Sequence, residues 1–162
     1  MFYTIEKVKK KLKLFKIKFN YLLISQKVFK NANMPESLAK KILIVEDDLF
    51  LGLITQKYLS KLGFEVATEV NGQLGLDHLH ATDKLPDLIL TDIMMPIMNG
   101  LEFLENIKKD EKYKNIPVYA ITSMAEELME DKKNIGFEKI IIKPFSLLDL
   151  SIEIKTKLKK EQ

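Results

Sequence analysis

The hydrophobic pattern from Lys41 onward is a regular alternation of short apolar runs and longer segments with helical periodicity. The runs are rich in Ile, Leu and Val and are bounded by polar or turn-forming residues, which is typical of β-strands. Four of the five runs are continuous enough to be buried on both faces of a sheet. The predicted strands span residues 41–46, 64–69, 87–92, 116–122 and 138–143.

Helices are predicted after each of these strands. In one of them Leu101, Leu104 and Ile107 share a face, and Ser146 followed by Asp149 resembles a capping box at the start of the last one. The predicted helices span residues 49–62, 72–81, 100–111, 124–134 and 146–158. Strict alternation of five strands and five helices indicates an α/β fold, a doubly wound five-stranded parallel sheet with helices on both faces.

The first part of the chain has a different composition. Residues 1–33 contain nine lysines and one acidic residue, whereas residues 34–162 carry 17 basic and 22 acidic side chains. The overall charge of +3 therefore divides into +8 and −5. We expect residues 1–38 to be a basic N-terminal extension and residues 39–162 to form one domain.

Three interpretations of the extension are open. Of its first 33 residues, 25 are Lys, Phe, Ile, Tyr, Asn or Leu, whose codons are rich in A and T. One interpretation is therefore that upstream DNA has been translated and that the natural start of the protein is Met34. The extension can also be a basic arm that contacts a membrane surface or nucleic-acid phosphates. The third interpretation is a disordered or loosely helical appendage.

Composition excludes several kinds of protein. The chain has no cysteine, which excludes a disulfide framework and a thiolate metal site. No apolar run reaches the roughly 18 residues that a membrane span needs, and no stretch resembles a signal peptide. We therefore expect a cytoplasmic protein.

Polar residues stand where four of the predicted strands end. In a parallel sheet these carboxyl ends lie along one edge, where α/β folds place their sites. Taken singly, each residue could be a helix cap, a loop carboxylate or a surface charge, but their joint occurrence favours a site. The residues at this edge are Glu46, Asp47 and Asp48 after strand one, Asp92 at strand three, Thr122 and Ser123 at strand four, and Lys143 at strand five.

This set of residues predicts phosphoryl chemistry. Carboxylates brought close together repel one another unless a cation joins them, and oxygen ligands without His or Cys favour Mg²⁺. Asp92 is the candidate nucleophile, because carboxylates can form acyl phosphates. Lys143 and the metal would neutralise charge on the phosphoryl oxygens, and Thr122 would donate a hydrogen bond to one of them.

Residues 41–160 resemble the receiver domain of bacterial two-component response regulators. The resemblance is carried by "ILIVEDD", "DLILTDIMMPIMNG", "PVYAITS" and "IIIKPF", in that order and at the spacing of the family. It implies a flavodoxin-like strand order 2-1-3-4-5, phosphorylation of Asp92 and a cis peptide before Pro144. It also implies a metal ion held by Asp92, an acidic pair and the backbone carbonyl of Met94.

The number of residues between the acidic run 46–48 and "KLGF", at the end of the first predicted helix, aligns Glu46 and Asp47 with the acidic pair of the family. We expect Asp47 to contact the metal directly, Glu46 to reach it through water, and Asp48 to be a helix N-cap. One position departs from the family pattern, because Ile140 stands where an aromatic switch residue is usual. How a change at Thr122 would reach the neighbouring surface is then open.

The expected function is that of a stand-alone receiver, since no output domain follows residue 162. It would accept a phosphoryl group from a histidine kinase or phosphotransfer protein and signal to another protein, with no nucleic-acid contact through the domain itself. Two alternatives are a receiver-like module that binds without phosphorylation and an aspartate-nucleophile phosphohydrolase. The latter usually has a second acid where Met94 stands. His78 and His80 are expected to be ordinary surface residues.

Overall fold

The computed structural model of the chain describes residues 39–123 and 136–159. The predicted extension (residues 1–38) and the predicted helix over residues 124–134 lie outside these described residues. The elements, in chain order, are β1 (Lys41–Val45), α1 (Leu49–Lys61), β2 (Glu65–Glu69), α2 (Gly72–Ala81), β3 (Leu88–Asp92), α3 (Gly100–Lys109), β4 (Val118–Thr122), β5 (Lys139–Ile142) and α4 (Leu147–Lys159).

The five strands form one parallel sheet in the order β2-β1-β3-β4-β5, which confirms the flavodoxin-like topology. The register places Asp92 beside Ile121 and Thr122 beside Ile142. The carboxyl ends of β1, β3, β4 and β5 therefore share one edge of the sheet, which the sequence predicted.

Side chains that alternate along the central strands form two separate cores. Leu43, Val45 and Ile89 pack with residues of α2 and α3, whereas Ile42 and Leu88 pack with residues of α1 and α4. The strands β1, β3 and β4 are almost entirely buried because helices cover both of their faces. Among the described residues, no helix is both long and apolar enough to cross a bilayer.

The prediction of four fully buried strands was wrong for β5. Its residues are only partly buried and Ile142 is 41% exposed. The reason is that β5 is an edge strand with one neighbour, β4, in the sheet. Also, β4 begins at Val118 and not at the predicted Ile116, because Pro117 has no N–H to donate to a ladder.

Local hydrogen bonds fix where the helices begin. Asp48 caps α1, as predicted, by accepting hydrogen bonds from two backbone N–H groups. Ser146 Oγ accepts a 3.4 Å hydrogen bond from the N–H of Asp149 ahead of α4. The start of α3 has a complete capping box between Asn99 and Glu102, which was not predicted.

Candidate functional site

The carboxyl edge of the sheet brings together an acid from β1, an acid from β3 and a lysine from β5. Asp92 is the last residue of β3, whereas Glu46 and Lys143 directly follow β1 and β5. The peptide bond between Lys143 and Pro144 is cis, as the family resemblance implied. The site is therefore built from strand ends, which a packed sheet holds in place.

Lys143 joins two carboxylates that are far apart in the sequence. Its Nζ lies 3.0 Å from Oε1 and 2.9 Å from Oε2 of Glu46. The same Nζ lies 2.5 Å from Oδ2 of Asp92. The side chains of Glu46 and Asp92 are 5% and 9% exposed, so this ammonium group supplies the charge that their burial requires.

The second oxygen of Asp92 is held by the backbone. Its Oδ1 accepts hydrogen bonds from the N–H of Ile93 at 2.5 Å and from the N–H of Met94 at 3.2 Å. One carboxylate oxygen is therefore fixed by amide groups and the other faces the lysine. Two backbone amide groups on one oxygen and Lys143 on the other thus set the orientation of the carboxylate.

Three carboxylates are close enough to share a cation. Oxygen atoms of Glu46, Asp47 and Asp92 lie within 4.8 Å of one another. Asp47 is exposed, and it has no hydrogen bond or ion pair with any residue that the structure describes. A set of oxygen donors without sulfur or imidazole fits Mg²⁺.

The surroundings of Glu46 and Lys143 shift the pKa of each group. Burial raises the pKa of Glu46 to about 7, and the neighbouring charge of Asp92 acts in the same direction against the hydrogen bonds from Lys143. Burial by itself would lower the pKa of Lys143, but the hydrogen bonds to Asp92 and Glu46 more than offset it and raise that pKa. The lysine therefore stays charged in this pocket.

Other residues singled out in the sequence lie at or beside the edge. Thr122 is fully buried at the end of β4, and its carbonyl accepts a 2.8 Å hydrogen bond from the N–H of Lys143. Ser123 is exposed. Ile140, at the expected aromatic position, packs beside Ile93 and Ala120.

The two histidines belong to α2 and make their own contacts. His78 Nδ1 lies 3.0 Å from Oε1 of Glu69, and the exposed His80 ring lies 5.7 Å from the ring of Tyr113. Neither contact involves the residues that surround Lys143.

Sequence reasoning missed the role of Gly100 in this site. Its N–H donates a 2.9 Å hydrogen bond to the carbonyl of Ile93, and a Cβ atom there would lie 2.2 Å from the carbonyl oxygen of Asp92. Only glycine lets α3 begin this close to the end of β3. The pair Asn99-Gly100 is a common turn signal, but a turn signal does not indicate this close approach of two elements.

Comparison with known proteins gives a consistent result. The chain is 32% identical over 147 residues to the sensor histidine kinase CheAY of Helicobacter pylori, which covers 90% of this chain and 18% of CheAY. It is 33% identical over 119 residues to the transcriptional regulatory protein CrdR of the same species, with 73% of this chain and 54% of CrdR covered. The chain thus spans about half or less of these two relatives.

Solved structures show the same fold. A CheY-like response regulator receiver domain protein from Methanospirillum hungatei superposes with a TM-score of 0.67 at 32% identity, covering 75% of this chain and 95% of that one. The receiver domain of the sensor histidine kinase PA1611 from Pseudomonas aeruginosa superposes with a TM-score of 0.65 at 23% identity, covering 73% of this chain and 96% of that one. That structure is described with a magnesium ion coordinated in its active site cleft.

The family model of the response regulator receiver domain matches residues 42–155. This match includes β2 to β5, all of β1 except Lys41, and each of the residues that converge on Lys143. The chain therefore belongs to the response regulator receiver domain family of two-component systems.

Proposed function

We propose that this receiver domain takes up a phosphoryl group on Asp92 in a Mg²⁺-dependent reaction and signals through altered contacts with another protein. The observation that carries the proposal is the position of Asp92. One of its oxygens is fixed by two backbone N–H groups, and the other lies 2.5 Å from the ammonium group of Lys143. A carboxylate held this way, with a cation beside its second oxygen, is arranged to receive an anion with several oxygens.

The chemical step forms one bond and breaks one. Oδ2 of Asp92 attacks the phosphorus of the donor, and the bond between phosphorus and the leaving group of the donor breaks. The ammonium group of Lys143 moves its contact from the carboxylate of Asp92 to the phosphoryl oxygens. Thr122 donates a hydrogen bond to one of these oxygens. The product is an acyl phosphate at the end of β3.

The residues of the pocket fit a magnesium ion. Glu46, Asp47 and Asp92 would hold it, Asp47 directly and Glu46 through water, with the backbone carbonyl of Met94 as a further ligand. When bound, the ion neutralises charge on the transferring phosphoryl group. The oxygen-only donor set and the spacing of the three carboxylates, within 4.8 Å, support this assignment.

The partners follow from the chemistry. Receiver domains work with histidine kinases, so a kinase or a phosphotransfer protein is the proposed donor. The proposed readout is a protein surface that changes when Lys143 and Thr122 pair with the new dianion. The division at residue 38, the action as a stand-alone receiver and the cytoplasmic location stay predictions.

Incubation with Mg²⁺ and a small phosphodonor tests the proposal. Intact-mass measurement should show one added phosphoryl group in the parent protein and none in Asp92→Asn. Asp77→Asn is the matched control, because Asp77 is an exposed carboxylate on α2, and it should label like the parent. Equal labelling of Asp92→Asn would refute the assignment.

Two measurements separate the rivals. A phosphohydrolase would turn over a small phosphoester many times, whereas we expect almost no turnover, because Met94 stands where such enzymes place a second acid. A module that works without phosphorylation would keep its cellular function in Asp92→Asn. We expect that function to be lost.

A further inference from the structure

The three carboxylates of the pocket are not equivalent toward an incoming cation. Lys143 contacts both oxygens of Glu46 and the outward oxygen of Asp92, at distances between 2.5 and 3.0 Å. Asp47 alone is exposed and makes no ion pair with the described residues. Two of the three candidate metal ligands are therefore already engaged by a cation of the protein itself.

We propose that Lys143 is the resident cation of the pocket and opposes metal binding in the unphosphorylated protein. This inference rests on the proposed function. It adds a second role for Lys143, which is to oppose metal binding before Asp92 is phosphorylated. The lysine keeps the pocket stable without a metal and, as a result, weakens the affinity for Mg²⁺.

The charges explain the opposition. When all three carboxylates are ionised, the one ammonium group leaves two of their negative charges unbalanced. A metal that uses these oxygens must share them with Nζ of Lys143 only a few ångströms away. Two cations at such a distance, in a partly buried site, repel each other much more than they would in water.

The phosphoryl group removes the conflict. It adds further oxygens and close to one extra negative charge, because a carboxylate monoanion becomes an acyl phosphate dianion. The lysine and the metal can then each have oxygens of their own. Lys143 would then change partner, from the carboxylate pair Glu46 and Asp92 to the phosphoryl oxygens.

The test is the affinity of the unphosphorylated protein for Mg²⁺ alone, measured by titration calorimetry and by the rise of the melting temperature with Mg²⁺ concentration. We expect Lys143→Met to bind Mg²⁺ about tenfold more tightly than the parent, within the usual range of coupling between neighbouring sites. Lys143→Gln, which keeps a hydrogen-bond donor but lacks the charge, should tighten binding in the same direction. Lys143→Arg, which keeps the charge, should bind as weakly as the parent.

Lys139→Met is the matched control. It removes a lysine from the other end of β5, where Lys139 pairs with Glu153, and should leave the Mg²⁺ affinity unchanged. If both neutral variants at position 143 bind Mg²⁺ no more tightly than the parent, or if Lys139→Met tightens binding equally, the inference is wrong.

Failure of this inference and failure of the proposed function give different results. The proposed function is judged by the labelling of the parent protein and of Asp92→Asn, and it needs no variant at position 143. Mg²⁺-dependent labelling together with unchanged affinity in the position 143 variants would overturn the inference alone. Both would be overturned if neither the parent nor the two neutral variants bind Mg²⁺ and the parent takes up no label.

Discussion

Replacement of Gly100 by alanine should damage the fold and the site together. A Cβ at this position would lie 2.2 Å from the carbonyl oxygen of Asp92 and 2.9 Å from Cα of Ile93. Both are backbone atoms, so no side-chain rotation relieves the contact. Either the start of α3 or the end of β3, which carries the proposed phosphoacceptor, must move.

The size of the effect follows from the geometry. Real Cβ contacts are essentially never shorter than 3.0 Å, so the backbone must yield by roughly 0.8 Å, and overpacking of this kind usually costs about 1–3 kcal/mol or more. Alanine recovers up to about 1 kcal/mol through its higher helix propensity. Since both clashing atoms belong to the backbone, we expect the upper end of the overpacking cost, about 3 kcal/mol. The net loss in the free energy of unfolding is then about 2 kcal/mol, and the melting temperature should fall by roughly 6–10 °C.

The assay compares Gly100→Ala with Gly52→Ala in urea unfolding and in labelling by a small phosphodonor. Gly52 lies inside α1, and a Cβ there would only touch the side chain of Glu46 at 3.9 Å. Gly52→Ala should therefore be as stable as the parent or up to about 1 kcal/mol more stable. Gly100→Ala should also label at least about tenfold more slowly, because small misplacements of a reacting group are costly. Parent-like stability and labelling of Gly100→Ala would refute this reasoning.

Two further predictions concern stability. Asn99 Oδ1 accepts hydrogen bonds from the N–H groups of Leu101 and Glu102 at 2.9 and 3.0 Å, so Asn99→Ala should lower the free energy of unfolding by about 1 kcal/mol in a urea titration; an unchanged midpoint would contradict the role of this cap. Thr55 Oγ1 is buried in α1 and has no hydrogen-bond partner within the described part of the chain, so Thr55→Val should raise the stability by about 1 kcal/mol in the same assay. Thr55→Ala should lower it, since it also removes a buried methyl group, and a loss in both variants would contradict the unpaired hydroxyl.

The fold was predictable because its signals are local and repeated. The strands β1, β3 and β4 are each a continuous apolar run. The helix that follows β3 buries Phe103, Leu104 and Ile107. Together these features specify a parallel sheet. The partial exposure of β5 was not predictable from its run of isoleucines, because it depends on the place of the strand at the edge of the sheet.

The candidate site was predictable as a set of residues but not as a set of contacts. Because α/β folds place their sites at the carboxyl ends of parallel strands, Glu46, Asp92 and Lys143 were predicted to lie together. Glu46 and Lys143 are 97 residues apart in the sequence. The prediction assigned Lys143 only to an incoming phosphoryl group. The bond of Lys143 to both oxygens of Glu46 depends on distances between strand ends, which no pattern in the sequence specifies.

The requirement for glycine at position 100 escaped the sequence for a similar reason. A glycine after asparagine is a common turn signal. Its real constraint is the approach of the α3 backbone to the carbonyl of Asp92, which is a contact between two elements.

The most direct test of the account is to locate the phosphoryl bond. Borohydride reduces an acyl phosphate to an alcohol, so a protein labelled in the presence of Mg²⁺, then reduced and digested, should carry homoserine at position 92 and at no other aspartate. Recovery of unmodified Asp92 from fully labelled protein, or the modification of a different residue, would contradict the claim that the carboxylate beside Lys143 receives the phosphoryl group.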